Sequence, residues 1–164
     1  MLRDKSLIPL SRQHQHALAL CVRIDRASPI ADSDLAAWQA ELTQLCQAEI
    51  GIHFTAEEQV VFPAASRVPQ FKALVDELLA DHSDLRARFA KAEASSLSAA
   101  DLSSTAQNLS AHIRKEERQL FEGLQEVLSQ GELAVLGSSL DEALKDAAQI
   151  CAVPAEATKL RAAK

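Results

Sequence analysis

Apolar residues recur every three to four positions through long stretches of the chain, which is the period of an amphipathic α-helix. In the first stretch one helical face carries Leu10, His14, Leu18, Cys21 and Val22. Ala, Leu, Gln and Glu are frequent, and runs of β-branched residues are absent. The sequence therefore predicts an all-α protein.

Turn and capping residues divide the pattern into five predicted helices. They run from about Leu10 or Ser11 to Ser28, from Asp32 to Phe62, from about Pro69 to Glu93, from the Ser98 cap to about Ser129, and from about Glu132 to Ile150. Four long helices with short links predict an up-down-up-down four-helix bundle, with the fifth helix packed outside it. We expect residues 1–130 to form the bundle domain and residues 131–164 to form the additional C-terminal helix and a frayed tail.

Individual residues predict how these helices begin and end. Ser11 and the cluster 32–34 are candidate N-caps, and Ser98 with Asp101 resembles a capping box. Pro63 is expected to stop the second helix. Gly131 is expected to cap the end of the fourth helix, and Gly137 to break or kink the fifth.

Charge and composition exclude several classes of function. The 164 residues carry a formal net charge of −6, and no basic stripe is available for nucleic acid or an anionic membrane. No apolar run approaches the ~20 residues of a membrane span, and residues 1–10 lack the apolar region of a signal peptide. The three cysteines are widely spaced, so we interpret them as small core residues of a cytoplasmic protein: Cys21, Cys46 and Cys151.

One motif occurs twice, at residues 112–121 and at residues 53–62, and reads H-x-x-x-E-E-x-x-[apolar]-F. In an α-helix the His and the first Glu lie about 40° apart on one face, one turn along, whereas the second Glu is rotated by about 140°. The motif therefore pairs His53 with Glu57 and His112 with Glu116. An imidazole and a carboxylate stacked on an apolar face are a candidate pair of metal ligands.

Each of the four bundle helices has one histidine on its apolar face: His14, His53, His82 and His112. A single such histidine is more often a hydrogen-bonded core residue, but burying four of them without partners would cost several kcal/mol. Imidazole nitrogen and carboxylate oxygen suit iron, manganese or zinc. We therefore predict a metal site in the bundle. His16 lies about 200° from His14 and is expected in solvent, although it is the alternative ligand if the first helix is rotated.

The remaining polar neighbours of this set allow alternatives. Glu58 and Glu117 are either solvated or outer carboxylates, and either would reach a metal if its helix were locally unwound. Asp81 either orients the adjacent His82 or is a surface charge, and we expect the surface charge. The phenylalanines near the set are expected in the core, where they would keep water from a metal.

These residues together resemble the hemerythrin-like, HHE cation-binding domain proteins, over roughly residues 10–128. The matching segments are Leu10-Ser11-Arg12-Gln13-His14, His53-Phe54-Thr55-Ala56-Glu57-Glu58, Asp81-His82 and His112-Ile113-Arg114-Lys115-Glu116-Glu117. The resemblance implies a four-helix bundle that holds two iron ions in a non-haem centre. It also implies imidazole ligation by the four histidines and bridging carboxylates from Glu57 and Glu116.

Two departures from the oxygen-carrying members of that family bear on function. Their third helix supplies a second histidine at the position of Arg86, which is not a ligand at neutral pH. Either one iron is under-coordinated, or Arg86 pairs with a nearby carboxylate. The carriers also use the carboxylate at the position of Glu117, whereas helical geometry favours Glu116. Both departures argue against reversible oxygen carriage.

The resemblance implies a cytoplasmic di-iron protein that binds or senses oxygen or a related small molecule such as nitric oxide or peroxide. Signalling would require a protein partner that the sequence does not identify. A di-iron oxidase or peroxidase is the enzymatic alternative, but the set is rich in histidine and the chain has no tyrosine to host a radical. A helical bundle with a vestigial site, or with manganese or zinc instead of iron, is the third hypothesis.

Overall fold

A computed structural model describes residues 2–145, which form five helices and contain no strand. The helices are α1 (Ile8–Ala27), α2 (residues 32–66), α3 (Lys72–Glu93), α4 (residues 99–127) and α5 (Gln130–Ala143). A 3₁₀ turn at Pro69–Phe71 leads into α3. The predicted all-α bundle with an additional C-terminal helix is confirmed, whereas the domain boundary after residue 130 stays a prediction.

Helices α2 and α4 contain π-turns, in which backbone hydrogen bonds span five residues. Those of α2 lie at Cys46–Ile50 and Glu57–Val61, and that of α4 lies at Glu116–Phe121. Two of these turns therefore begin at the first Glu of an H-x-x-x-E-E motif. Since a π-turn widens the helix and changes where side chains point, the repeated motif has a repeated local structure.

The prediction that Pro63 stops α2 is wrong, because the helix continues to Ser66. In the π-turn just before the proline, the Phe62 backbone N–H donates to the carbonyl of Glu57, five residues back. This wider turn accommodates a proline ring that would clash in a regular α-helix.

The predicted N-caps of α1 and α2 are also wrong. Helix α1 begins at Ile8, and Pro9 lies in its first turn. Proline is tolerated there because a backbone N–H in the first turn has no partner within the helix. Ser11 therefore lies inside the helix. Helix α2 begins at Asp32 after Ala31, without a side-chain cap. Its first-turn carboxylates instead complement the positive end of the helix dipole.

Two capping boxes set where α4 and α5 begin. Ser98 and Asp101 cap the start of α4 as predicted. Ser129 forms a second box with Glu132, so α4 ends at Val127 and Gly131 lies in the first turn of α5. The C-cap prediction for Gly131 is wrong because this start signal for the next helix takes precedence.

Gly137 does not kink α5, which is continuous to Ala143. A Cβ at this position would lie 2.8 Å from both Cβ and Oγ of Ser6 and 3.1 Å from its Cα. The glycine therefore allows the segment before α1 to pack directly on α5. The predicted end of this helix at Ile150 lies outside the described residues.

We expect Gly137→Ala to destabilise the protein relative to Gly131→Ala by about 1–3 kcal/mol, because the new methyl group would overlap Cβ and Oγ of Ser6 and crowd its Cα. Gly131 has no atom within 4 Å of an added Cβ, so its variant makes the same change in the same helix without the overlap. Urea unfolding of both variants measures the difference. Equal free energies of unfolding would show that the close packing on Ser6 is not tight.

The buried apolar residues form two clusters with a polar layer between them. On α1, His14 lies between Leu10 of one cluster and Ala17 of the other. On α3, His82 lies in the same way between Leu78 and Leu85. The layer thus crosses the middle of the bundle and places the predicted ligands at one level.

Two of the three cysteines lie in the described part of the chain, and neither forms a disulfide there. Burial raises the pKa of the Cys21 thiol to about 12 and that of Cys46 to about 11. Both therefore remain protonated at neutral pH. Cys151 lies outside the described residues. None of the helices in residues 2–145 has the length and apolarity needed to cross a membrane.

Candidate metal centre

The four predicted histidines meet at the centre of the bundle, and each is buried. His14 Nε2 lies 2.9 Å from His53 Nε2, and His82 Nε2 lies 3.1 Å from His112 Nε2. Each pair joins two helices, α1 with α2 and α3 with α4. The structure therefore arranges the four imidazoles as two opposed pairs.

The two predicted carboxylates lie between these pairs and are fully buried. Glu57 Oε1 lies 3.1 Å from His53 Nε2, and Glu57 Oε2 lies 3.4 Å from His82 Nε2. Glu116 Oε2 lies 3.2 Å from His14 Nε2 and 3.3 Å from His112 Nε2. Each carboxylate thus reaches both pairs.

These six residues form two groups that could each hold a metal ion. One contains His14, His53, Glu57 and Glu116, and the other contains Glu57, His82, His112 and Glu116. Within each group the ligand atoms lie within 4.8 Å of one another. The two groups share both carboxylates, which is the arrangement of a bridged pair of cations. All six predicted residues are brought together, and their ligation of metal stays a prediction.

The polar atoms of the centre are better suited to binding cations than to forming hydrogen bonds with one another. The four carboxylate oxygens of Glu57 and Glu116 are buried and accept no hydrogen bond within residues 2–145. A neutral imidazole that donates through Nδ1 has only a lone pair at Nε2. Opposed Nε2 atoms near 3 Å then repel unless a proton or a cation lies between them. The site therefore supplies negative charge and lone pairs without matching donors.

The second Glu of each motif holds a histidine of a neighbouring helix. His14 Nδ1 donates to Glu117 Oε1 at 2.7 Å, and His82 Nδ1 donates to Glu58 Oε1 at 2.8 Å. Ser11 also donates its hydroxyl to Glu117, at 2.7 Å. Glu58 and Glu117 are thus outer carboxylates that fix ring orientation, and neither belongs to the two ligand groups.

The two motif histidines, His53 and His112, are held by the residues that directly precede His14 and His82 in the chain. His53 Nδ1 donates to Gln13 Oε1 at 2.8 Å, and His112 Nδ1 contacts Asp81 Oδ2 at 3.4 Å. Asp81 is a partly exposed charge, as expected, but the alternative that it orients the adjacent His82 is wrong, because its carboxylate contacts His112. Adjacent residues of an α-helix point about 100° apart, so Asp81 faces α4 rather than the imidazole next to it in sequence.

Two arginines complete the outer contacts in the same way. Arg86 pairs with Glu58 at 2.5 Å, and Arg3 pairs with Glu117 at 2.6 Å. Arg86 therefore binds a carboxylate, as one of the two alternatives predicted. Since each ligand group has two histidines and both shared carboxylates, the absence of a histidine at position 86 leaves neither group with fewer protein ligands than the other.

Each of these two arginines also lies over a phenylalanine ring that stacks on a histidine of the centre. The Arg86 guanidinium lies 5.5 Å from the centre of the Phe54 ring, which stacks on His82 at 3.8 Å. The Arg3 guanidinium lies 5.3 Å from the ring of Phe121, which stacks on His14 at 5.5 Å. The two sides of the centre are thus built alike. Sequence reasoning missed Arg3, because nothing near position 3 indicates a contact with α4.

His16, the alternative to His14, does not reach the centre. Its side chain is 62% exposed, and its Nδ1 lies 2.9 Å from Glu49 Oε1. The predicted rotation of α1 is therefore correct, with His14 inside and His16 outside.

The electrostatics of the centre favour ionised groups. Burial opposes a positive charge on His14, but the Glu116 carboxylate 3.2 Å from Nε2 and the hydrogen bond to Glu117 outweigh it and raise the pKa of His14 to about 10. Burial likewise opposes charge on Glu117, but hydrogen bonds from His14 and Ser11 lower the pKa of this carboxyl to about 2. Despite burial, the histidines around Glu57 hold its pKa well below the usual value. At neutral pH and without a cation, the layer therefore holds a proton on His14 against ionised carboxylates.

We expect the cation-free protein to lose stability as pH rises from 6.5 to 8.5. The pKa of His14 is raised from 6.5 to about 10, so its stabilising contribution is complete below pH 6.5 and declines as pH rises toward 10. Below pH 8.5 the thiols of Cys21 and Cys46, whose ordinary pKa is 9.0, stay mostly protonated in the unfolded chain too and add little to the slope. Urea unfolding at several pH values measures the slope, with His14→Gln as the variant that should flatten it. A wild-type slope no steeper than that of His14→Gln would contradict the assignment.

Comparison with known proteins identifies one family. A family model described as the Hemerythrin HHE cation binding domain matches residues 9–124. The match includes all six residues of the centre. No curated protein matches the chain, and no solved structure does so either.

Proposed function

Because the chain belongs to the Hemerythrin HHE cation-binding domain family, we propose that it is a non-haem di-iron protein that binds or senses oxygen or a related small molecule. Nitric oxide and peroxide are the related ligands we have in mind. The proposal rests most on one observation, that Glu57 and Glu116 each belong to both ligand groups.

The donor set supports iron, although it also suits manganese or zinc. Each group offers two imidazole nitrogens and two shared carboxylates, and such mixed nitrogen and oxygen sites bind divalent transition metals. We favour iron because of the resemblance to the hemerythrin-like proteins. When bound, iron would supply redox chemistry and a coordination position for a small ligand.

The chain's own residues would bind and shield the cations. The four imidazoles would ligate through Nε2, since each Nδ1 already contacts an oxygen on another helix. These contacts fix the ring planes and make the imidazoles stronger donors. Phe54, Phe62 and Phe121 are buried around the centre and exclude water from it.

Binding of a small molecule is favoured over catalysis of oxygen activation by the same donor set. Imidazoles outnumber carboxylates four to two in the centre, and the chain contains no tyrosine. Three further expectations remain predictions: a cytoplasmic location, no nucleic-acid or membrane partner, and a protein partner if the molecule is a sensor.

The test is titration of the anaerobic, iron-loaded protein with nitric oxide and with oxygen, followed by optical spectroscopy. We expect a spectral change that saturates at a fixed ratio of ligand to protein and that Glu57→Gln lacks. Absence of any change would contradict small-molecule binding. Continuous consumption of peroxide in the presence of a reductant would instead favour the oxidase or peroxidase alternative.

A further inference from the structure

The contacts that hold the Nδ1 atoms of the four histidines match between the two ligand groups, with one exception. Glu117 and Glu58 hold His14 and His82, and each of these carboxylates has an arginine partner. The other two histidines are held by unlike groups. His53 donates to the amide oxygen of Gln13, whereas His112 faces the carboxylate of Asp81.

The two unlike residues, Gln13 and Asp81, occupy equivalent positions in the chain. Gln13 directly precedes His14 on α1, and Asp81 directly precedes His82 on α3. Each reaches across to the motif histidine of the helix that follows. The difference is therefore one of side-chain chemistry, a neutral amide against a carboxylate, at matched places in the fold.

A carboxylate behind an imidazole makes that imidazole a stronger metal ligand, and an amide does so less. The Asp81 contact is longer, at 3.4 Å against 2.8 Å for Gln13. Its charge still acts at that distance, since Coulomb energy falls only as the inverse of distance. Lys115 offsets part of this charge at 2.9 Å from Asp81, as the two arginines do for Glu58 and Glu117.

We propose that the two cation positions are unequal and that Gln13 makes them so. The His82 and His112 position binds its cation more tightly and fills first. The His14 and His53 position holds the weaker, more readily exchanged cation. This inference rests on the proposed dinuclear centre and adds to it an order of filling.

The test uses Zn²⁺ as a redox-inert probe, titrated into the metal-free protein and followed by calorimetry with a competing chelator. Gln13→Glu should strengthen the weaker step about tenfold and leave the tighter step unchanged. Asp81→Asn should weaken the tighter step by a similar factor. Gln15→Glu adds the same charge on the exposed side of α1 and should change neither step.

Nitrogen NMR of ¹⁵N-histidine-labelled protein locates each step. With one equivalent of Zn²⁺, the Nε2 signals of His82 and His112 should shift first, before those of His14 and His53. Because the two positions share their carboxylates, the first cation would weaken binding of the second even in a symmetric centre. Two separate binding steps are therefore not evidence that the positions are unequal, and the effects of the variants and the order of filling are the test.

Two results would overturn the inference while leaving the dinuclear centre intact. One is a Gln13→Glu variant that strengthens the tighter step or moves neither step, and the other is initial filling at His14 and His53. Binding of fewer than two Zn²⁺ ions by the wild-type protein would contradict the dinuclear proposal itself, and the order of filling with it.

Discussion

Replacing Glu57 with glutamine will weaken binding of both cations, although only one side chain changes. Glu57 belongs to both ligand groups, and glutamine keeps its volume but removes its charge. Loss of an outer partner alone typically costs 10–100-fold in metal affinity, so we expect at least about 100-fold at each position for a shared ligand. Metal content after dialysis and Zn²⁺ calorimetry measure the loss.

A matched control separates this effect from a general change of charge. Glu126→Gln makes the same substitution at an exposed position on α4 and should retain both cations. His53→Ala, by contrast, removes a ligand from only one group and should spare the His82 and His112 position. Retention of two cations by Glu57→Gln at near wild-type affinity would show that this carboxylate is not shared.

Removing the cations should be the largest single destabilisation of the fold. Without them the two imidazole pairs face each other at 2.9 and 3.1 Å, and the oxygens of Glu57 and Glu116 accept no hydrogen bond within residues 2–145. A ligand present at about 1,000 times its Kd stabilises a protein by about 4 kcal/mol. For a chain of this size that corresponds to a rise in Tm of about 8–16 °C. Thermal unfolding with and without a chelator measures it.

The vestigial-site hypothesis makes the opposite prediction for this experiment. It expects no cation-dependent change in Tm, and it expects His53→Leu or His112→Leu to stabilise the fold by removing buried polar groups. We expect either variant to lose much of the cation-dependent rise. His16→Leu serves as the control, since His16 is exposed and outside the centre, and it should keep the full rise.

Helical periodicity was sufficient to predict which residues meet at the centre of the bundle. His14, His53, His82 and His112 fall on the apolar faces of four helices, so packing of those faces brings them to one layer. The spacing of four residues placed Glu57 and Glu116, rather than the glutamates that follow them, beside the histidines in the buried layer. The pairing of each motif histidine with its first Glu depends on the angle per residue between them, and the helix is regular there because the next π-turns begin only at Glu57 and Glu116.

Contacts between distant parts of the chain could not be predicted in this way. Arg3 reaches Glu117 on α4, and Asp81 holds His112 rather than its neighbour, because the packing of different helices decides which side chains meet. Pro63 and Gly131 misled for a related reason. Each residue by itself is typical of a helix end. The π-turn before Pro63 accommodates the proline ring, however, and the capping box that spans Gly131 starts a new helix there.

The measurement that tests the central claim most directly is a crystal structure of the iron-loaded protein with anomalous diffraction at the iron edge. We predict two iron peaks per chain, one beside His14 and His53 and one beside His82 and His112, with Glu57 and Glu116 in contact with both. A single peak, or two peaks that Glu58 or Glu117 bridges instead, would contradict this account.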